Sequence, residues 1–300
     1  MKILLLGKEG QVGWELQRSL STVGDLVASE QRELDLERPD DVRGWVRRHE
    51  PDIIVNAAAY TAVDQAESEP EKAHRINADA VAVLAEEANR LNAWLVHYST
   101  DYVFDGEKTT PYDEGDAAHP LSVYGRTKLE GEERLRECHA KHLIFRTSWV
   151  FAARGNNFAK TMLRLAKERE TLRVIADQHG APTSAELIAD VTALTLHRVV
   201  QHGSGTDLAG TYHLVARGET SWYGYAHYVV SVARARGIIL KTVPEEIYPI
   251  QTEDYPLPAK RPRNSRLNVS KLISSYGVHL PDWHHHVQRL IEELALQGGL

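Results

Sequence analysis

A chain of 300 residues is long enough for a large α/β domain with a smaller companion and an ample core. Its 35 basic and 42 acidic residues give a formal charge of -7 with no basic block to follow phosphates, which argues against a nucleic-acid partner. The apolar run at the amino terminus stops at Leu6, no later run nears the roughly 20 residues of a membrane span, and a lone Cys138 excludes an internal disulfide or a cysteine zinc site, so a cytoplasmic protein without a membrane partner is expected.

Residues 2–6 read as a short, continuously apolar strand of the kind buried on both faces of a parallel sheet. Gly7, Gly10 and Gly13 follow, and then Trp14, Leu16 and Leu20 at helical spacing. Strand, glycines and helix in this order suit a dinucleotide: a tight turn, close approach of backbone to pyrophosphate, and a helix start with free N–H groups. The next strand is expected near 25–29 and ends at Glu30, a carboxylate placed to accept from adenosine ribose hydroxyls and to repel a 2′-phosphate. That favours NADH, while Arg32 two residues on leaves room for NADPH.

Asp35 and Leu36 precede a helix over about 39–49, and 51–56 forms another buried strand ending in Ala57, Ala58 and Ala59, small enough for a flat ligand to lie against the backbone. A helix over about 70–91 carries Asn77 as a polar anchor. Residues 93–100 form a strand ending in two hydroxyls, Ser99 and Thr100, which point to opposite faces and both compete to bind a carbonyl oxygen. Tyr124 and Lys128 then stand at i and i+4 on one helix face. A cation at that spacing is expected to draw the phenol pKa down from about 10 toward the working range and so create a proton donor for a carbonyl receiving hydride.

Past Val150 the parallel pattern breaks up, with a helix over 157–168 and a short strand over 172–176. A helix over about 184–200 and a strand over 211–216 are expected to return to the first domain. This assigns 1–150, with about 184–216, to dinucleotide binding and 151–183 with 217–300 to a substrate domain. Pro256, Pro258 and Pro262 mark an extended segment whose neighbours Arg261, Arg263 and Arg266 suit a diphosphate. His284, His285 and His286 point about 100° apart on a helix and do not converge on a metal.

With these residues assembled, the chain resembles the extended short-chain dehydrogenase/reductase superfamily and, within it, the dTDP-4-dehydrorhamnose reductase family. The likeness is carried by the glycine loop, Val55–Glu67, Tyr98–Gly106, Tyr124–Glu130, Arg146–Phe151, Gly155–Phe158, Asp177–Thr183 and Arg261–Leu267. It implies a doubly wound Rossmann-type parallel sheet with a smaller carboxy-terminal α/β substrate domain. It also implies NADH- or NADPH-dependent reduction of the C4 ketone of dTDP-4-dehydro-β-L-rhamnose to dTDP-L-rhamnose, the last step toward this sugar for cell-surface polysaccharide. Tyr124 would donate the proton, Lys128 would tune it and hold the nicotinamide ribose, and Thr100 would assist at the sugar. Gly7, Gly10, Gln11, Val12, Glu30, Asp35, Leu36 and Ala57–Ala59 would hold the dinucleotide, and Asp101 and Trp149 the nucleotide sugar. The resemblance further implies a homodimer and a structural Mg²⁺ on Glu15, Glu186 and Glu292 or Glu293. Two rivals stand beside it: an epimerase or reductase of another nucleotide sugar, and a non-catalytic subunit like the methionine adenosyltransferase β subunit.

Overall fold

The computed structural model describes residues 1–139, 141–201 and 206–296. Six strands make one all-parallel sheet: β1 (Lys2–Leu6), β2 (Asp25–Ser29), β3 (Ile53–Asn56), β4 (Trp94–Thr100), β5 (His142–Thr147) and β6 (Gly210–His213), in the order β2-β1-β3-β4-β5-β6. Continuous apolar strands are needed because both faces are covered. Ile3, Leu5, Ile53, Val55, Val96 and Phe145 face one core, and Leu4, Leu6, Ile54, Leu95 and Ile144 face the other. The period-2 geometry of a strand thus divides each apolar run between two layers.

The first layer holds α1 (Gln11–Leu20) and the later helix Ala185–Gln201, packed against each other. The second holds α2 (Pro39–His49), α3 (Ala80–Leu91) and α4 (Val123–Cys138). The helix expected over 70–91 is broken into Pro70–His74, a π-helical turn Arg75–Asp79 and α3. The turn brings Asn77 to the Tyr60 backbone, where its side chain accepts from Tyr60 N–H at 2.9 Å and donates to Tyr60 C=O at 3.1 Å.

The helix Ala185–Gln201 of the first layer is α6; beyond the sheet, α5 (Phe158–Glu168), α7 (Trp222–Ala235) and α8 (Trp283–Leu296) combine with short strand pairs such as Leu172–Ile175 with Ile247–Ile250. The segment 255–263 is non-helical, as its prolines require. One apolar cluster runs from Ile3 and Leu5 through α6 and α7 to Leu290 and Leu294 of α8. No helix among the described residues is long and apolar enough to cross a membrane.

Candidate active site

The carboxyl ends of the sheet strands open onto a cleft of about 830 Å³, within the size range of small-molecule sites. One wall is made almost wholly of backbone. The loop after β1 is tied to the end of β2 by Gly7 N–H and Lys8 N–H, which donate to Ser29 C=O at 3.0 and 3.1 Å. A side chain at Gly13 would put its Cβ 2.0 Å from the Gly7 carbonyl oxygen, so only glycine lets α1 press onto the loop. Gly10 caps α1 without a side chain, and Gln11 and Val12 in its first turn line the cleft. This leaves amide N–H groups and the positive helix end facing the space, a fit for pyrophosphate. Glu30, Asp35 and Leu36 line the same wall beyond β2, and Ala57, Ala58 and Ala59 line it beyond β3. Arg32 is exposed.

The floor carries Thr100, Tyr124 and Lys128. Ser122 caps α4 by accepting from Gly125 N–H at 3.2 Å, and Glu67 accepts from Val123 N–H at 2.8 Å, so the first turn of α4 is held at both sides. Thr100 lies beside the Tyr124 phenol, whereas the Ser99 hydroxyl lies beside Glu132. Thr100 is therefore the hydroxyl that shares the phenol's space. Glu132 and Arg146 form a fully buried bidentate pair beneath the floor, with contacts of 2.9 and 2.6 Å. Burial works to raise the Glu132 carboxyl, and Arg146 outweighs it and holds the group below its ordinary value.

Burial reverses the expected tuning of the phenol. Removal from water pushes Tyr124 up to about 12, against the pull of the Thr100 hydroxyl, and pushes Lys128 down to about 7, against the attraction of Glu132. Lys128 is 1% exposed. Its Nζ donates to the Tyr98 carbonyl at 2.6 Å and lies 3.1 Å from His97 Nε2, and among the described residues no hydrogen bond joins it to the phenol. The Tyr102 ring meets Tyr124 edge-on at 5.6 Å.

The opposite wall is made of side chains from distant parts of the sequence. Asp101, 2% exposed, begins a 3-10 turn after β4. Burial raises its carboxyl to about 6, against hydrogen bonds from Ser265 and Thr100. Trp149 has φ +49, a left-handed backbone uncommon for a bulky residue. Its indole is stacked on Trp222 at 3.6 Å and 14°, and a Cβ at Gly180 would lie 2.7 Å from the ring. Trp222 Nε1–H donates to Gln178 at 3.1 Å, fixing the second indole. The three arginines expected at a diphosphate are engaged internally: Arg261 with Asp64 at 2.8 Å, Arg263 with Glu253, and Arg266 with Asn264 at 2.8 Å.

The expected magnesium ligands do not form a site within one chain. Arg289 reaches Glu186 at 3.3 Å, Arg236 pairs with Glu292, and Arg18 lies 3.7 Å from Glu15. Burial, then Glu186, raises the Glu15 carboxyl. Among the described residues no group of three or more histidine, cysteine or acidic side chains is arranged to hold a metal. His284 Nδ1 is 2.5 Å from Asp282 and its ring stacks on Trp283, so that histidine belongs to the start of α8.

Sequence reasoning missed the support beneath these groups. His97, Asn56 and Trp222 carried no spacing signal, because their partners lie 31, 41 and 44 residues away. For His97 the one available hint was a histidine inside an otherwise apolar buried strand.

Residues 1–296 match the family model described as RmlD substrate binding domain. The chain is 55% identical over 298 residues to the dTDP-4-dehydrorhamnose reductase of Escherichia coli (strain K12), covering 98% of each, and 48% identical to that of Burkholderia thailandensis, covering 99% of this chain and 100% of the relative. Among solved structures it is similar to a dTDP-4-dehydrorhamnose reductase of Clostridium acetobutylicum, with TM-score 0.89 and 36% identity over 98% of this chain and 99% of that one. It is also similar to the reductase of Bacillus anthracis solved in complex with NADP, with TM-score 0.87 and 35% identity over 97% and 99%.

Proposed function

Because the chain belongs to the RmlD substrate binding domain family, and within it to the dTDP-4-dehydrorhamnose reductases, we propose that it reduces the C4 ketone of dTDP-4-dehydro-β-L-rhamnose to dTDP-L-rhamnose through Thr100, Tyr124 and Lys128. The observation that carries this reading is a single cleft in which the glycine-loop wall, the Thr100–Tyr124–Lys128 floor and the Trp149 wall face one another. When bound, the reduced nicotinamide supplies the hydride. The residues of the backbone wall hold the dinucleotide; those of the floor handle the proton.

Tyr124 is the donor. A phenol held near 12 is protonated throughout the neutral range, which suits a group that gives up a proton rather than takes one. When the sugar binds, Thr100 turns its single O–H proton from the Asp101 carboxylate to the same carbonyl oxygen and fixes it toward the phenol. In its charged form Lys128 stabilises the phenolate left after transfer and binds the nicotinamide ribose. Trp149 offers an indole face to the sugar ring and Asp101 an acceptor to its hydroxyls. Both NADH and NADPH serve as reductant: Glu30 favours the first, and the Bacillus anthracis relative was solved with NADP. We place the enzyme in the cytoplasm as a homodimer.

The test is oxidation of NADH and NADPH by the purified chain on enzymatically made dTDP-4-dehydro-L-rhamnose, beside Tyr124→Phe. The parent should turn over, and the variant should lose about 10²- to 10⁴-fold in kcat while its dinucleotide Kd stays within about twofold. Tight dinucleotide binding without any turnover by the parent would favour a regulatory subunit or an enzyme of a different sugar.

A further inference from the structure

Beside Glu30, at the end of the cleft where the backbone wall meets β2, two donors of the chain converge on one of its own carboxylates. Lys8 follows Gly7 in the loop after β1, and its backbone is held on both sides: its N–H donates to Ser29 C=O at 3.1 Å and its C=O accepts from Gln17 Nε2 at 3.0 Å. Its side chain reaches the end of β2, where Nζ donates to Glu33 Oε2 at 2.7 Å. The same oxygen accepts from Glu30 N–H at 2.9 Å. Glu33 is brought back to this point by a turn in which Glu33 N–H and Leu34 N–H donate to Glu30 C=O at 3.1 and 2.9 Å. Lys8 first and the Glu30 amide second hold the Glu33 carboxyl below its ordinary value.

An ammonium and a backbone amide aimed at one oxygen make an anion site, and nothing in it is particular to a carboxylate. A phosphate monoester offers three acceptor oxygens and about -1.5 to -2 charges at neutral pH, more than Glu33 can. The side chains also differ in freedom: Glu33 is 42% exposed and can turn out into water, whereas Lys8 is 23% exposed and anchored at its backbone. Glu30 lines the cleft at this point and by itself would repel a phosphate. Lys8 supplies the compensating charge, its ammonium being raised above its ordinary value by the hydrogen bond to Glu33 and by the charges of Glu33, Glu30 and Glu9, which outweigh desolvation.

We propose that Lys8 is the residue that decides acceptance of the phosphorylated dinucleotide: its ammonium and the Glu30 N–H take the adenosine 2′-phosphate in the place that Glu33 fills. The inference rests on the reading of this cleft as a dinucleotide site and deepens it. With NADH, Lys8 keeps Glu33, and Glu30 accepts from the free ribose hydroxyl. With NADPH, the phosphate displaces Glu33 into water. The ammonium is paired in both cases, so a carboxylate at the ribose and a phosphate on it are compatible with one chain. Arg32 is exposed and takes no part in the pair, so the discrimination follows Lys8 and Glu33 rather than Arg32.

The experiment is a fluorescence titration of the full chain with NADH and NADPH, and with 2′,5′-ADP and 5′-AMP as competitors, at low and high salt. Lys8→Met should raise the NADPH Kd about tenfold while the NADH Kd stays within about twofold, and should remove the preference for 2′,5′-ADP over 5′-AMP. Glu33→Gln takes away the competing charge and should lower the NADPH Kd about threefold. Both shifts should shrink at high salt, because the pair is near the surface. Equal losses for the two dinucleotides in Lys8→Met, an unmoved NADPH Kd, weaker NADPH binding in Glu33→Gln, or a discrimination lost in Arg32→Gln instead would each overturn the proposal. Should Lys8→Met fail to fold, Glu33→Gln and the competition experiment decide. A parent that binds as expected but reduces no 4-keto sugar defeats the reductase reading alone; one that turns over with both reductants while Lys8→Met leaves the NADPH Kd unmoved defeats this inference alone.

Discussion

The two walls of the cleft are built on opposite plans. The wall proposed for the dinucleotide consists of backbone brought close by missing side chains, and its elements follow one another within the first 60 residues. The wall proposed for the sugar consists of side chains held by other parts of the chain: Trp149 by Trp222 and the Gly180 backbone, and Asp101 by Ser265 and Thr100. A wall of backbone has one way to fit and no rotamer to change. A wall of side chains can be re-cut without moving the sheet, which suits the part of an enzyme family that selects the sugar.

Gly13→Ala attacks the rigid wall and carries the largest effect. A Cβ 2.0 Å from the Gly7 carbonyl forces α1 off the loop, for about 3 kcal/mol of stability and roughly a 100-fold loss of dinucleotide affinity. Chemical denaturation and fluorescence titration would check both; an unchanged Kd would mean that the wall adapts after all. Asp101→Asn probes the other wall through pH. The raised native pKa means that between about pH 4 and pH 6 the folded chain keeps a proton the unfolded chain has lost, so stability falls as pH rises through that window and the full penalty is present at neutrality. The asparagine should therefore be more stable at pH 7.5 by up to about 3 kcal/mol, equal to the parent near pH 3.5, and weaker in sugar binding. Melting curves at the two pH values test the sign. The smallest effect is expected of Gly180→Ala, whose methyl would displace the Trp149 indole: roughly a tenfold rise in KM for the nucleotide sugar, about 1.4 kcal/mol, with NADPH affinity unchanged. A change confined to the dinucleotide would erase the distinction between the walls.

The same contrast explains what could be read from sequence. The strand at residues 2–6, the glycine loop and the Tyr124–Lys128 pair are short-range patterns, and the structure brings them to one cleft. The π-helical turn at Asn77 was invisible because an extra residue in a helix leaves the apolar spacing on either side intact. Trp222, His97 and Asn56 act through partners far along the chain. Spacing placed Tyr124 and Lys128 on one face but could not give their pKa values, since these follow from the amount of protein packed over each group rather than from their separation.

The apolar cluster that begins at Ile3 and Leu5 and ends at Leu290 and Leu294 joins both walls to a single interior. Unfolding either end of the chain exposes that shared interior, so the carboxy-terminal helix α8 cannot be lost without cost to the first strand, and the two ends should melt together. A dinucleotide held by the amino-terminal loop then slows hydrogen exchange in α8, which it never touches, because binding free energy added to the native state is shared by every amide that opens only through global unfolding.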